Sequence, residues 1–204
     1  MPIAISRPRL TRSQIAWIVA ITLIAVTVNP FLKSIGLLPK DVFDSFGIMY
    51  PGIAQIVFGP LMAFLLLVCF IKTGEPLVFP AIGILRALSL GFVFPANLQH
   101  LGTGIAGILA GFIAAALVKN KERINFAVWL PLLAALFAGF YAAGNYVTTV
   151  MFGTAAQNQI VVSDWRTLGV IIGSAVIGLL LGVLGQRLFR WPSRLMAVET
   201  AVAR

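Results

Sequence analysis

Side chains with binding chemistry are concentrated in three short stretches of an otherwise apolar chain. The stretches contribute amides, an imidazole, phenols, an acid and an indole: Asn97, Gln99 and His100, then Tyr141, Asn145 and Tyr146, then Asp164 and Trp165. Tyr141 and Asn145 are four residues apart, so on a helix they share one face. Rings for stacking, amides for paired hydrogen bonds and one acid for a cation predict a pocket for a small polar aromatic ligand. The alternative is that these residues are merely interfacial, because tyrosine and tryptophan gather at membrane surfaces.

Arg86 is the basic residue with the most specific implication. It falls near the middle of an apolar segment, where a charge is costly and is usually paired or faces a cavity. One interpretation is that its guanidinium meets an anionic group of a ligand, or carbonyls that line a site. The other is that the side chain extends to the membrane surface near Glu75. The first interpretation adds Arg86 to the candidate substrate-binding residues.

Catalytic, metal and coupled-transport chemistry is poorly represented. All six acids lie in predicted loops or at the ends of predicted spans, so no carboxylate is expected at membrane depth, where ion-coupled carriers usually need one. There is one histidine, and the single cysteine, Cys69, lies in an apolar run. We therefore expect no enzyme activity, no metal and no cofactor. A proton relay through His100 is the weaker alternative to a solvated turn residue.

Six apolar segments must position these side chains. Of the 204 residues, 60% are hydrophobic and 10% are charged, against about 25% charged in a soluble domain. Segments of roughly 20 residues, enough to cross a bilayer, cover about 13–32, 47–71, 76–94, 101–118, 124–150 and 167–188. The chain lacks the alternation of a membrane barrel. The prediction is an all-α integral membrane protein, a six-transmembrane-helix bundle that forms a single membrane domain over 1–204.

The basic residues predict the orientation. With the amino end inside, the cytoplasmic pieces carry 11 of the lysines and arginines and the outer pieces carry three, namely Lys33, Lys40 and Arg166. That asymmetry follows the positive-inside rule and places both termini in the cytoplasm of a multi-pass protein of the cell membrane. The net charge of +9 is then a topology and lipid-headgroup signal, and no nucleic-acid partner is expected.

Small residues at four-residue spacing predict close helix packing. The pairs are Gly107/Gly111, Gly169/Gly173, Gly178/Gly182 and, on the first segment, Ala16/Ala20. Such pairs let helix backbones approach closely in lipid, and most are expected to pack within the protein's own bundle. Ala16 and Ala20 lie in the predicted cytoplasmic half, where a partner subunit has room to dock.

Taken together, these features resemble the substrate-binding S component of an energy-coupling-factor transporter. Ala16-Trp17-Ile18-Val19-Ala20 resembles the AxxxA motif with which S components contact their transmembrane coupling subunit, and Val57-Phe58-Gly59-Pro60-Leu61 resembles a Phe-Gly-Pro segment of the family. The resemblance implies capture of a vitamin or similar micronutrient from outside. It also implies a coupling subunit with ATPase subunits as partners, and docking through Ala16 and Ala20.

Two other functions remain open on the sequence alone. A small structural or assembly subunit of a larger membrane complex would use the glycine faces for permanent packing and would have no ligand. A lipid-modifying enzyme would use His100 and Asp164 as an acid–base pair. Retention of a bound small molecule separates the substrate-capture protein from the structural subunit.

Overall fold

The computed structural model describes residues 11–34, 52–93, 100–152 and 165–189, and all regular structure in these ranges is helical. Within the described ranges, six helices follow one another: α1 (Arg12–Ser34), α2 (Gly52–Thr73), α3 (Val78–Val93), α4 (Leu101–Lys119), α5 (Phe126–Phe152) and α6 (Trp165–Leu188). Each of the six predicted segments corresponds to one of these helices. The predicted segment 47–71 begins in residues outside the described ranges.

Four of the helices, α2, α4, α5 and α6, are long and apolar enough to cross a membrane. The apolar parts of the other two that the structure describes are shorter, Arg12–Thr27 in α1 and Val78–Ser89 in α3. The prediction of an all-α bundle with helices of membrane-spanning length is therefore confirmed at this level.

Local capping explains where α1 begins and α2 ends. Thr11 precedes α1, and its hydroxyl accepts a hydrogen bond from the Gln14 N–H at 3.3 Å while the Gln14 side chain accepts one from the Thr11 N–H at 2.8 Å. This reciprocal pair is a capping box. Gly74 follows α2 with φ 69°, a left-handed conformation that favours glycine. The Gln14 side-chain amide also donates to the Thr73 carbonyl at 2.6 Å, which joins the start of α1 to the end of α2.

Four basic residues lie at the end of the bundle where α1 begins: Arg12, Lys72, Lys119 and Arg187. We refer to this end as the basic end. Aromatic contacts join its helices. Trp17 of α1 packs edge-on to Phe189, which follows α6, with ring centroids 6.5 Å apart. The Lys72 ammonium lies 5.8 Å and 5.5 Å from those two rings, within cation–π range.

Helix α2 is the centre of the bundle. It packs against α1, α3, α5 and α6, and 72% of its apolar stretch is buried, against 28% for α6. Helix α4 packs against α3 and α5. The contacts α2–α3, α3–α4, α4–α5 and α5–α2 therefore close a ring of four helices, with α1 and α6 packed outside it on either side of α2.

Glycines allow the close crossings of α4 with its neighbours. A Cβ at Gly107 would lie 2.5 Å from the Phe79 carbonyl oxygen of α3, and a Cβ at Gly102 would overlap the backbone of Gly144 and Asn145 of α5. Only glycine fits at such crossings in a tightly packed membrane bundle. Self-packing is thus confirmed for Gly107/Gly111.

The other predicted glycine pairs have different outcomes. Gly178 and Gly182 of α6 face α5 closely, and a Cβ at Gly178 would lie 2.9 Å from the Ala134 carbonyl oxygen. Self-packing is confirmed for that pair. Gly169 and Gly173 are the exception among the described helices, since a Cβ at either position meets open space. The expectation that most pairs pack within the bundle therefore holds for two of the three glycine pairs. Two internal prolines, Pro60 and Pro131, lie within continuous helices, α2 and α5.

Candidate functional site

An aromatic layer fills the interior of the four-helix ring nearer the basic end. Phe79 of α3 contacts Phe70 of α2 with centroids 5.6 Å apart and Phe137 of α5 with centroids 6.3 Å apart. Phe137 in turn packs against Tyr141 at 6.2 Å. All four side chains are buried. Because Phe79 touches both α2 and α5, its face of α3 is the one directed into the ring.

A second group of buried side chains lies farther from the basic end and is polar. The Asn145 amide of α5 donates to the Gln55 side-chain oxygen of α2 at 3.0 Å. The Ser174 hydroxyl of α6 donates to the Gln55 backbone carbonyl at 2.7 Å. Thr103 of α4 is fully buried. We refer to Gln55, Arg86, Thr103 and Asn145 as the polar layer.

Arg86 is a fully buried charge, with 0% of its surface exposed. One terminal nitrogen, Nη1, donates to the backbone carbonyl of Ala25 on α1. The guanidinium carbon lies 5.8 Å from the centre of the Phe58 ring of α2, a cation–π distance. The interpretation in which Arg86 extends to the surface beside Glu75 is therefore wrong, because the side chain is enclosed by α1, α2 and α3.

Helical periodicity places Arg86 and Asn145 at a similar depth. Arg86 follows Phe79 by seven residues, which puts it on the same face of α3, about 10 Å farther along the axis. Asn145 follows Phe137 by eight residues, about 12 Å along α5. Since Phe79 and Phe137 touch, Arg86 and Asn145 lie at matching levels above them.

The α2 contacts agree with this placement. Arg86 lies over Phe58 and Asn145 bonds Gln55, and these two α2 residues are one turn apart. On α4, Thr103 lies one turn beyond Gly107, the residue that faces the Phe79 backbone. A Cβ at Gly83, one turn before Arg86 on α3, would lie 3.1 Å from the Thr103 carbonyl oxygen. All four helices of the ring thus contribute polar residues within about one helical turn of each other along the bundle.

The polar layer holds every buried side-chain polar atom that lacks a hydrogen-bond partner among the described residues. These atoms are Nε and Nη2 of Arg86, Oγ1 of Thr103 and Oδ1 of Asn145. A buried polar atom without a partner costs about 1–3 kcal/mol, and more when the group is charged. The layer therefore has unused capacity for both donating and accepting hydrogen bonds.

The structure buries three of the residues singled out in the sequence in the two layers of the bundle and places others elsewhere. Arg86, Asn145 and Tyr141 belong to the polar layer or to the aromatic layer below it. Tyr146 is buried too, in a small cluster with Val170 of α6. Trp165 begins α6 with 78% of its surface exposed, away from both layers.

The remaining candidate binding and docking residues have separate outcomes. His100 precedes α4 and is buried, and its side chain makes no capping hydrogen bond. Asn97, Gln99 and Asp164 lie outside the described residues, so their predicted part in binding stays a prediction. The predicted docking residues Ala16 and Ala20 are both exposed on α1.

Sequence reasoning missed Gln55, Thr103 and Ser174. Each is a polar residue inside an apolar helix, and polar groups at membrane depth are uncommon enough to be a signal. Within the described ranges, no group of three or more histidine, cysteine, aspartate or glutamate residues is placed to hold a metal ion. The chemistry of the polar layer is hydrogen bonding around a single cation.

Comparison with known proteins gives no family for the chain. No protein-family model, no curated protein and no solved structure matches it.

Proposed function

We propose that this chain is the membrane-embedded substrate-capture subunit of a micronutrient uptake system, comparable to the S component of an energy-coupling-factor transporter. The observation that carries the proposal is the polar layer, in which four buried polar atoms on three helices lack a partner. Nearly all buried polar groups in native proteins are hydrogen-bonded. A small polar molecule bound between the helices would satisfy these atoms.

The alternative, a structural or assembly subunit, accounts less well for the polar layer. Permanent packing surfaces favour small and apolar residues, as in the aromatic layer and the glycine crossings. A buried arginine with two unpartnered nitrogens weakens such packing, since a buried charge without full pairing is costly. The polar layer is therefore better explained by binding than by assembly.

The proposed partner is a transmembrane coupling subunit with its ATPase subunits. Ala16 and Ala20 are exposed on α1, and they are part of a wider exposed face with Ile15, Val19 and Leu23. Small residues in the middle of an apolar helix face allow close approach of a partner helix. In this proposal α1 is the docking helix, and transport is driven by the partner's ATP hydrolysis.

The proposed topology has six membrane spans, both termini in the cytoplasm and the basic end on the cytoplasmic side of the cell membrane. Cys69 is buried, so single cysteines introduced at exposed Glu122 and Arg166, at opposite ends of the bundle, would report the orientation. A membrane-impermeant maleimide is expected to label Arg166→Cys in intact cells and Glu122→Cys only after permeabilisation. The reverse pattern would invert the topology.

Native mass spectrometry on protein purified gently in detergent tests the function. We expect a discrete extra mass of a few hundred daltons that is lost on denaturation and is absent from Arg86→Leu. Lys119→Leu, which removes an exposed charge at the end of α4, is the control and should keep the mass. Bare protein, still bare after incubation with vitamins and their precursors, would favour the structural subunit.

A further inference from the structure

The free part of the Arg86 guanidinium has a defined shape. Nη1 donates a hydrogen bond to the Ala25 carbonyl, and the two nitrogens without a partner are Nε and Nη2. Nε–H and the adjacent Nη2–H point the same way and form one edge of the planar group. That edge is the fork with which arginine binds the two oxygens of a carboxylate through parallel hydrogen bonds.

The charge of Arg86 has no counter-charge near it among the described residues. It is the only arginine or lysine in the buried set, and that set contains no aspartate or glutamate. The described acids, Glu75 and Glu122, lie at the basic end and are not buried. Glu75 precedes the first residue of α3, Val78, from which Arg86 lies about 12 Å along the helix axis. Water can satisfy an N–H group, but it cannot neutralise a cation in a low-dielectric interior.

The other unpartnered atoms have the opposite requirement. The Asn145 Oδ1 atom can only accept hydrogen bonds, and the amide nitrogen of the same side chain already donates to Gln55. Thr103 Oγ1 can accept and donate, and neither capacity is used among the described residues. A ligand that satisfies the whole layer therefore has an anionic end and at least one N–H or O–H donor.

We infer that the polar layer binds a small organic acid, with its carboxylate on the Nε/Nη2 edge of Arg86 and an amide N–H or hydroxyl on Asn145 and Thr103. This inference rests on the proposed function and assigns the substrate class of that site. One bidentate edge and one buried cation match a monoanion. A phosphate group with nearly two charges would call for more donors and a second cation.

Matched ligand pairs test the inference. The probes are N-acetylglycine and benzoate, each compared with its primary amide, and binding to the protein in nanodiscs is followed by saturation-transfer NMR. Wild-type protein is expected to bind each acid about tenfold or more tightly than its amide, the equivalent of one charge-assisted hydrogen bond. N-acetylglycine also offers an N–H donor, so its affinity should fall in Asn145→Leu while that of benzoate does not.

Arg86→Gln is the decisive variant, and Lys119→Gln is its charge-matched control. The acid-over-amide preference should disappear in Arg86→Gln and persist in Lys119→Gln. The preference is the ratio of the affinities for the acid and its amide, measured on one protein sample. A smaller folded fraction lowers both signals alike and leaves this ratio unchanged. Arg86→Lys should keep part of the preference, since it retains the charge without the planar fork.

Several outcomes would overturn the inference. Equal binding of acid and amide by wild-type protein, no binding of either acid, or a preference that survives in Arg86→Gln would each do so. A preference that appears only when Asp41, Asp44 or Asp164 is changed to Asn would identify an acid of this chain as the partner of Arg86. If the molecule retained in native mass spectra is neutral, this inference fails while the proposed function stands; bare protein contradicts both.

Discussion

The aromatic layer and the polar layer lie about two helical turns apart in one bundle, yet they differ in how fully their contacts are used. In the aromatic layer, Phe79 contacts rings on α2 and α5, and the neighbouring small residues of α4 close around it. In the polar layer, four buried polar atoms lack partners among the described residues. The difference separates a region that is complete in the free protein from one that a bound molecule would complete.

The aromatic and polar layers also differ in how much each stabilises the packing of the helices. Lipid is as apolar as a phenylalanine ring, so the aromatic layer stabilises the bundle through close packing. The polar layer joins α2, α5 and α6 through the Gln55 hydrogen bonds and leaves the Arg86 edge free. Substitutions in the first layer should therefore change stability, and substitutions in the second should change binding.

The largest expected effect is on the aromatic layer. Phe79→Ala should lower the free energy of unfolding by about 3 kcal/mol, because it leaves a cavity between α2, α3 and α5. Unfolding by SDS in mixed micelles measures this change. Phe112→Ala removes the same ring from a side chain that is 72% exposed, and it should cost less than about 0.5 kcal/mol. Equal losses in the two variants would contradict the assignment of the aromatic layer as the stabilising core.

A glycine at a helix crossing and a glycine on an open helix face should respond differently to substitution by alanine. Gly107→Ala places a methyl group 2.5 Å from the Phe79 carbonyl, so the unfolding free energy should fall by about 1–3 kcal/mol through overpacking. Gly173→Ala meets open space on α6 and should leave the stability unchanged or raise it by up to about 1 kcal/mol, through better helix propensity. The same SDS titration compares them. A destabilising Gly173→Ala would mean that α6 has a neighbour at that position.

Arg86→Leu should affect stability much less than Phe79→Ala does. The variant loses the bond to Ala25 but also removes a buried charge with two unpartnered nitrogens, so the ligand-free protein should be equally stable or about 1 kcal/mol more stable. Thermal unfolding in nanodiscs, without added ligand, measures it, with Lys119→Leu as the control. A loss above about 2 kcal/mol would mean that Arg86 is already fully paired in the free protein.

The smallest effect concerns the one side chain–side chain bond of the polar layer. A double-mutant cycle with Gln55→Ala and Asn145→Ala should give a coupling energy near 0.6 kcal/mol, the size typical of hydrogen bonds between membrane helices. SDS unfolding of the four proteins provides the cycle. A coupling energy of zero would indicate that the two amides do not meet in the membrane.

Apolar length allowed the helices to be predicted from the sequence. The predicted segment 101–118 became α4 at Leu101–Lys119, and 167–188 became α6 at Trp165–Leu188, because an apolar stretch bounded by charges and turn residues fixes a membrane helix closely. The shared face of Tyr141 and Asn145 was also readable, since it depends only on spacing within one helix.

The composition of the polar layer was not readable in the same way. Which helices adjoin each other depends on packing between distant segments, so nothing near Gln55 indicates that it meets Asn145, 90 residues later. Thr103 lies among glycines that were interpreted only as packing residues. Trp165 has the type expected of a binding residue, but its position at the start of α6 leaves it exposed. Residue type alone did not separate these cases.

The bond between Arg86 and Ala25 has a consequence for how mutations would be tolerated. Its acceptor is a main-chain carbonyl, which every residue supplies, so no side-chain change at residue 25 removes it. Because Ala25 is fully buried, the position restricts size but not chemistry. In a saturation mutagenesis scan scored by ligand binding, we therefore expect residue 25 to accept glycine or serine and residue 86 to accept almost nothing. A method that infers contacts from paired substitutions would therefore not detect the contact between residues 25 and 86.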